Sequence, residues 1–253
     1  MKLTTLAISC GGTGGHFNPG LSIARALKAR GGNPVLILGG KHVVKQAETA
    51  AKYGIEAVKI EAVPLTKNPF KLPMFFKHLF AGAAQTKAAY RKYGCQALLC
   101  MGSFASFPPA LAARLNRFPL FLHDGNAKIG RANRMLSRWA KALALSFPVK
   151  NVSRCKCPTI LTGMPLRPEI VSGVMNKAEA VAEINRRWNT EFSPEKPLLL
   201  VFGGSLGART INTKVKIPAD LPGANELQVV RLAGPGNLEA IRPLYADSPA
   251  KEL

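Results

Sequence analysis

The sequence predicts an α/β fold in which parallel strands are covered by helices on both faces. Short apolar runs alternate with segments of helical periodicity along roughly the first half of the chain. Clustered glycines follow the first apolar run directly, as they do where a strand turns sharply into a helix. A later apolar run at residues 197–202 is again followed at once by glycines, which indicates a second unit of the same kind.

Each element follows from its local pattern. Strands are predicted at residues 3–9, 34–38, 57–60, 97–101 and 120–123, and helices at 20–30, 41–53, 81–93 and 109–116. The four prolines within residues 148–172 predict a linker. Beyond it, residues 179–188 predict a helix, and residues 197–202 and 227–233 predict strands. We therefore expect an N-terminal domain at 1–147, a linker at 148–172 and a partial second domain at 173–253, because two strands are too few for a self-sufficient sheet.

The composition narrows the classes of partner. The 253 residues include 35 Lys and Arg against 14 Asp and Glu, a formal charge of +21. Such a surface is either simply solvated or meets nucleic acid, an anionic membrane or phosphate-bearing substrates. No motif of interleaved aromatic and basic residues accompanies the charge, so we expect no nucleic-acid partner. The five cysteines are irregularly spaced, which predicts reduced thiols and no metal site.

The glycine cluster, Gly-Gly-Thr-Gly-Gly-His at residues 11–16, is typical of a loop that handles a diphosphate. Glycines let the backbone approach a ligand closely, and the following helix directs its N-terminal N–H groups at the same place. The pattern is neither the dinucleotide-binding fingerprint nor a P-loop. His16 could donate to a diphosphate, orient an acceptor or act as an acid–base group near pH 7.

Three other positions are candidates for chemistry. Asp124 and Asn126 follow a strand end: Asp124 could accept a proton and Asn126 could bind a sugar, but an Asx turn before a helix fits equally well. Arg167 stands in a proline-flanked loop and could clamp a diphosphate or be an ordinary surface arginine. Ser205 offers a hydroxyl in the second glycine-rich turn, which could also be a plain connection.

Residues 69–80 are apolar with interspersed lysines. The segment is too short to span a membrane. It could lie in a membrane interface with Lys67, Lys71 and Lys77 at anionic headgroups, or it could be a helix that buries its aromatic side chains. The net charge favours the membrane interpretation.

Together these motifs resemble the MurG family of glycosyltransferases over nearly the whole chain. The family motifs occur here in order: residues 11–16 followed by Pro19-Gly20, His123-x-x-Asn126, Gly163-x-Pro165-x-Arg167, and Gly203-Gly204-Ser205-x-Gly207-Ala208. The resemblance implies a GT-B fold, that is, two Rossmann-like domains with parallel sheets facing a cleft, the second domain here being truncated. It implies inverting transfer of N-acetylglucosamine from UDP-GlcNAc to undecaprenyl-diphosphate-linked muramyl-pentapeptide (lipid I to lipid II) in peptidoglycan synthesis. No cofactor is implied, and the family is peripheral on the cytoplasmic face of the bacterial plasma membrane.

The resemblance also assigns roles to residues. The family's substrate contacts correspond to the backbone or side chains of Thr13, Gly14, Gly15, Asn126, Arg167 and Ser205. The resemblance places His16 near the acceptor diphosphate or the reacting hydroxyl. For the base that removes the proton of that hydroxyl, the candidates in this sequence are His16 and Asp124.

Three departures from the family pattern stand out. The family usually has Glu-Gln where this chain has Asp124-Gly125, and its second glycine loop is usually richer in glycine than residues 102–106. The chain also ends before the family's segment that binds uracil, ribose and much of the GlcNAc. Two alternatives therefore stay open: a non-catalytic lipid-acceptor-binding or scaffold protein, and one subunit of a two-chain GT-B transferase. In the second case, a donor-domain partner would dock near residues 227–233.

Overall fold

The computed structural model describes residues 4–66, 68–204 and 207–252. The chain divides into two compact units, Met1–Ser172 and Gly173–Leu253. No helix within the described ranges combines the length and apolar character needed to cross a membrane.

The first unit is built on a seven-stranded sheet in which every pairing is parallel, as predicted. Its strands are β1 (Thr5–Ser9), β2 (Asn33–Gly39), β3 (Glu56–Ile60), β4 (Ala97–Cys100), β5 (Leu120–Asp124), β6 (Ala142–Leu145) and β7 (Thr159–Leu161). They lie in the order β3-β2-β1-β4-β5-β6-β7. The order reverses between β1 and β4, and the crevice outside the carboxyl ends of strands at such a point is where open α/β sheets bind ligands.

Six α-helices lie within the described part of the first unit: α1 (Gly14–Ala29), α2 (Val43–Ala51), α3 (Leu72–Tyr93), α4 (Phe107–Leu115), α5 (Arg131–Leu136) and α6 (Pro168–Ser172). Helix α3 begins nine residues before the start predicted from the sequence. Pro73 is tolerated there because it lies in the first turn, where its missing N–H has no partner to lose. The helix ends at Gly94, whose left-handed conformation (φ 61°) closes the last turn.

The core of the first unit lies on both faces of the sheet. Along β2, Val35 and Ile37 belong to one buried cluster, and Leu36 and Leu38 belong to the other. This division follows from the strand's period of two, which sends successive side chains to opposite faces. The continuous apolar run in β2 therefore marks a strand that is covered on both sides.

Residues 148–172, predicted to be a linker, instead contribute β7 and α6 to the first unit. The amide of Leu143 donates to the carbonyl of Pro158 (2.9 Å), and the amide of Thr162 donates to the carbonyl of Leu145 (2.9 Å). Pro158 and Pro165 lie on either side of the three residues of β7 and do not interrupt them. The number of prolines in this stretch therefore led to the wrong prediction of a linker. An ion pair between Arg25 of α1 and Glu169 of α6 (2.6 Å) ties the end of this stretch to the unit.

The second unit contains a three-stranded parallel sheet in the order β10-β9-β8. Its elements are α7 (Lys177–Trp188), β8 (Leu198–Phe202), α8 (Arg209–Lys214), β9 (Gln228–Leu232), α9 (Leu238–Ile241) and β10 (Lys251–Glu252). Strands β8 and β9 agree with the sequence prediction, and β10 was not predicted. Helix α7 begins with a capping box between Asn176 and Glu179, which satisfies N–H groups at the helix start.

Candidate active site

The glycine loop after β1 runs close against the end of β2. A Cβ atom on Gly11 would lie 2.3 Å from the backbone nitrogen of Gly39, so no larger residue fits there. Thr13 is the N-cap residue of α1, and Gly14 and Gly15 form its first turn. The loop thus places the N–H groups and the positive dipole end of a 16-residue helix at the switch point of the sheet.

His16 lies at the same point, half-buried. Its Nδ1 is 2.9 Å from Oγ1 of Thr13. A Cβ on Gly102, which follows β4 with φ 92°, would come within 3.3 Å of Cδ2 and 3.5 Å of Nε2 of His16, so the absent side chain leaves room for the imidazole. Burial lowers the pKa of His16, and the charge of Asp124 opposes this only in part. The imidazole is therefore neutral at pH 7 and can accept a proton.

Asp124, at the end of β5, is almost fully buried and accepts four hydrogen bonds. Oδ1 accepts from the backbone N–H (3.0 Å) and Nδ2 (2.8 Å) of Asn126. Oδ2 accepts from the backbone N–H of Gly130 (2.8 Å) and Nδ2 of Asn133 (3.0 Å). The carboxylate thus organises the loop between β5 and α5, including an Asx turn of the kind that the sequence left open.

Two asparagines flank this carboxylate. Asn126 is fixed by its two bonds to Asp124. Asn133 of α5 is 2% exposed and also donates from Nδ2 to the carbonyl of His123 (2.8 Å). Its Oδ1 is buried and has no hydrogen-bond partner among the described residues. Sequence reasoning missed Asn133, because a single asparagine between two arginines carries no recognisable signal.

His123 is buried behind the loop. Its Nε2 lies 3.2 Å from Oγ of Ser146. Burial lowers the pKa of His123, and the backbone of Gly163 and the charge of Asp124 oppose this shift. The side chain thus supports the wall of the site from the interior of the unit.

Two cavities meet at the glycine loop. The first, about 410 Å³, is lined by His16, Asp124, Asn126 and Asn133 together with apolar side chains such as Met101 and Phe107. The second, about 540 Å³, lies on the side of Gly12 and Thr13. Ser103 and Phe104 line both cavities.

Of the residues singled out in the sequence, His16, Asp124 and Asn126 converge on the first cavity. Thr13, Gly14 and Gly15 form the adjoining start of α1. Arg167 is exposed just before α6 and lines neither cavity, and Ser205 lies outside the described residues.

Gln46 of α2 is a further residue that the sequence did not reveal. Its Nε2 donates to the carbonyl of Gly12 (3.2 Å), 34 positions away, and its side chain is buried. The residue thus braces the glycine loop from α2. In the sequence, Gln46 is simply a polar residue within a predicted helix. Only the structure shows that its position is on the buried face of α2, where a polar side chain needs a hydrogen-bond partner.

The segment at residues 69–80 does not bury its aromatic side chains in the core, so that alternative is wrong. Phe70 is 92% exposed, and Met74, Phe76 and Phe80 are each about half-exposed or more. Lys71 and Lys77 are exposed among them, and Lys67 lies outside the described residues.

Within the described ranges, no group of three or more His, Cys, Asp or Glu side chains is arranged to hold a metal ion.

Comparison with solved structures places this fold among known α/β enzymes. The crystal structure of MurG from Acinetobacter baumannii superposes with a TM-score of 0.64 over 98% of this chain and 66% of that one, at 24% identity. UDP-GlcNAc 2-epimerase from Neisseria meningitidis superposes with a TM-score of 0.59 over 99% of this chain and 72% of that one, at 12% identity. The fold is that of the GT-B glycosyltransferases.

Comparison of sequences gives the family. The N-terminal domain of glycosyltransferase family 28 matches residues 6–145. The chain is 34% identical over 242 residues to a UDP-N-acetylglucosamine–N-acetylmuramyl-(pentapeptide) pyrophosphoryl-undecaprenol N-acetylglucosamine transferase of Thermus thermophilus, covering 96% of this chain and 67% of that protein. It is 32% identical to the protein of the same name from Frankia casuarinae, covering 94% of this chain and 62% of that protein. The chain belongs to the MurG family of glycosyltransferases, and it spans about two-thirds of the length of these relatives.

Proposed function

We propose that this chain acts in the transfer of N-acetylglucosamine from UDP-GlcNAc to undecaprenyl-diphosphate-linked muramyl-pentapeptide, the step from lipid I to lipid II in peptidoglycan synthesis. The observation that carries the proposal is the convergence of a neutral His16, Asp124 and Asn126 on one cavity at the switch point of the sheet. The names of relatives that are 32–34% identical over nearly the whole chain supply the substrates.

His16 is the base in this proposal. In the tautomer that donates from Nδ1 to Oγ1 of Thr13, Nε2 carries a free lone pair. Nε2 takes the proton of the acceptor hydroxyl as that oxygen forms a bond to C1 of the sugar. The bond from C1 to the UDP oxygen breaks, its electron pair leaves with UDP, and the anomeric carbon is inverted without a covalent intermediate.

The N–H groups at the start of α1, from Thr13 to Gly15, are proposed to stabilise the charge that develops on the leaving diphosphate. Asn126 is proposed to bind a sugar hydroxyl. Arg167 and Ser205 stay candidate diphosphate and donor contacts on the strength of the family motifs alone.

Asp124 is proposed to be a positioning residue rather than the base. Its four accepted hydrogen bonds occupy both oxygens and hold Asn126 and Asn133 in place. Because both oxygens already accept hydrogen bonds from the loop, Asp124 would lose one of these bonds if it accepted a proton.

We further propose that the protein is peripheral on the cytoplasmic face of the bacterial plasma membrane. The exposed side chains of Phe70, Phe76 and Phe80 would enter the headgroup region, with Lys71 and Lys77 near anionic lipids. The formal charge of +21 supports the same preference.

A transfer assay tests the proposed function. The purified 253-residue protein is mixed with UDP-GlcNAc and a short-chain lipid-linked muramyl-pentapeptide, and the disaccharide product is measured by mass spectrometry. We expect product, and a decrease of roughly 10²- to 10⁴-fold in kcat for His16→Ala, as for the loss of a general base. Asn18→Ala, a change at an exposed position of the same helix, is expected to leave the rate unchanged.

Two outcomes would contradict this proposal. Full activity in His16→Ala would place the base elsewhere. Absence of product from protein that is shown to be folded would mean that the chain alone is not the transferase.

A further inference from the structure

The carbonyl group of Gly12 is held by a side chain from a different helix. Gln46 of α2 donates from Nε2 to this carbonyl oxygen across 3.2 Å. Both residues are buried, and Gly12 has a positive φ of 102°, which glycine adopts readily and other residues do not. The peptide that joins Gly12 to Thr13 is therefore fixed from outside the loop that contains it.

The direction of that carbonyl group also sets the direction of an N–H group. In a trans peptide, the C=O and the N–H point to opposite sides. The carbonyl of Gly12 faces Gln46, so the N–H of Thr13 points away from this side chain. Gln46 thus determines where the N–H of Thr13 is directed, although the two residues are far apart in sequence.

Three backbone N–H groups at the start of α1 are available to a ligand. Those of Thr13, Gly14 and Gly15 donate to no acceptor among the described residues. The next two, of His16 and Phe17, both donate to the carbonyl of Thr13 (3.1 and 3.0 Å). The N–H of Thr13 is thus the first of a short row of donors at the positive end of the helix dipole.

A glycine directly before such a donor permits the wrong orientation as well as the right one. The peptide after Gly12 can rotate by about half a turn, because glycine tolerates backbone angles that are closed to other residues. Rotation would take the N–H of Thr13 out of the row and put a carbonyl oxygen in its place. That oxygen would repel a developing negative charge instead of stabilising it. The hydrogen bond from Gln46 opposes this rotation.

Stability alone does not explain a glutamine at position 46. The residue is 6% exposed, and its Oε1 is buried with no hydrogen-bond partner among the described residues. An unpaired buried acceptor lowers stability, whereas an apolar side chain of similar length would not. The amide is thus kept at a cost to the fold, as is common for residues that serve a site.

We infer that Gln46 is a positioning residue of the transfer reaction, which keeps the N–H of Thr13 directed at the leaving diphosphate. The inference rests on the proposed function for the identity of that diphosphate, and on the contact with Gly12 for the rest. The charge on the diphosphate develops in the transition state. Loss of the contact should therefore lower kcat and leave KM nearly unchanged.

The substitution Gln46→Met tests this role, since it removes the amide and keeps the length of the side chain. We expect kcat to fall by roughly 5- to 100-fold, less than the roughly 10²- to 10³-fold loss that follows deletion of a donor to a developing charge. KM for each substrate should change by less than about twofold. The midpoint of thermal unfolding should change by less than about 4 °C. Gln46→Asn, whose amide is one methylene short of Gly12, should behave in the same way.

Gln96→Met is the matched control. Gln96 also braces a backbone segment, because its Oε1 accepts from the N–H groups of Thr4 (2.7 Å) and Thr5 (3.1 Å). These residues lie at the start of β1, at the opposite end of the strand from the glycine loop. The replacement should leave kcat and KM as in the parent. If it lowers kcat as much as Gln46→Met does, the effect is a general loss of structure and Gln46 is not a positioning residue.

A second measurement does not depend on the reaction. In protein labelled with ¹⁵N at threonine alone, the amide peak of Thr13 in the NMR spectrum is identified by its absence in Thr13→Ser. We expect this peak to move, broaden or split in Gln46→Met, because the peptide is then free to rotate. The peak should stay in place in Gln96→Met.

Two results from folded Gln46→Met would each overturn the inference: an unchanged kcat, or an unchanged Thr13 peak. A higher KM with the parent's kcat would do the same, since that pattern reports ground-state binding. If the parent itself shows no transfer, the proposed function fails, and the Thr13 peak alone decides whether Gln46 directs this N–H.

Discussion

Asp124 shows how one buried carboxylate determines the conformation of a loop. Four donors from three residues converge on its two oxygens, and all lie within nine positions of it in sequence. Removing the acceptor would leave buried N–H groups without partners, and that penalty is larger than the net value of the bonds themselves.

We therefore expect Asp124→Ala to lower the free energy of unfolding by about 3 kcal/mol or more. Urea denaturation followed by circular dichroism gives this quantity. Asp220→Ala, at an exposed position of the second unit, should change it by less than about 0.5 kcal/mol. If Asp124→Ala changes the free energy of unfolding only slightly, water replaces these hydrogen bonds without cost. Asp124 would then be a candidate for the catalytic base once more.

The titration of buried histidines should also make the free energy of unfolding depend on pH. Burial lowers the pKa of His123 and of His16, so the folded protein holds both in the neutral form below the ordinary histidine pKa of about 6.5. As pH falls, the unfolded chain takes up these protons first. The stability that the neutral histidines contribute is thus present above about pH 6.5 and is lost as pH falls through the lowered folded-state values.

The expected result is a decrease in the free energy of unfolding between pH 8 and pH 5, with a smaller decrease in His123→Asn. Denaturation midpoints of both proteins at matched pH values provide the comparison. An identical pH slope in the variant would mean that His123 does not bind its proton more weakly when folded.

Sequence reasoning found the residues of the candidate site whose signal is local. Glycines directly after a strand and polar residues at the next strand ends pointed to His16, Asp124 and Asn126, because parallel strands place their carboxyl ends together. Asn133 and Gln46 could not be found in this way. Their roles depend on contacts with His123 and Gly12 that exist only after helices α5 and α2 have packed.

The same contrast between local sequence signals and tertiary contacts holds for the strands and helices. Strands β1 to β5 were predicted because each is an apolar run set off by glycine, proline or polar residues. Strand β7 was missed because it has three residues, two of them exposed, between prolines. The first turns of α3 were missed because their apolar residues face outward and so lack the periodicity of a helix packed on a core.

The outward-facing segment at residues 69–80, which includes the turn before α3 and the start of that helix, makes membrane binding testable. We expect the double variant Phe70→Ser/Phe76→Ser to lower partitioning onto vesicles containing phosphatidylglycerol by at least tenfold, because a buried phenylalanine is worth about 1.5–3 kcal/mol. Co-sedimentation with vesicles measures the partitioning. Trp188→Ser, which removes a comparably exposed aromatic from α7, is the matched control. Equal partitioning of the parent and the double variant would mean that charge alone brings the protein to the membrane.

The two units of the molecule differ sharply in how much core they possess. The first has large buried clusters on both faces of a seven-stranded sheet. The described residues of the second form two clusters of three buried residues each: Val181, Phe192 and Val230 in one, and Val201, Val229 and Ala250 in the other. Burial of apolar surface dominates stability, so the first unit should be by far the more stable of the two.

Limited proteolysis tests this difference. Residues 168–178 are exposed throughout, and Lys177 offers trypsin a cleavage site five residues after the boundary at Ser172. Arg167 offers none, because the bond to Pro168 resists trypsin. We expect trypsin to cut after Lys177 first and to leave residues 1–177 as a persistent fragment while residues beyond 177 are degraded. Exposed segments and weakly packed units open with little cost. Mass spectrometry of the digest over time identifies the fragments. The reverse pattern, in which the second unit outlasts the first, would show that the small clusters of β8 and β9 are more stable than their buried area implies.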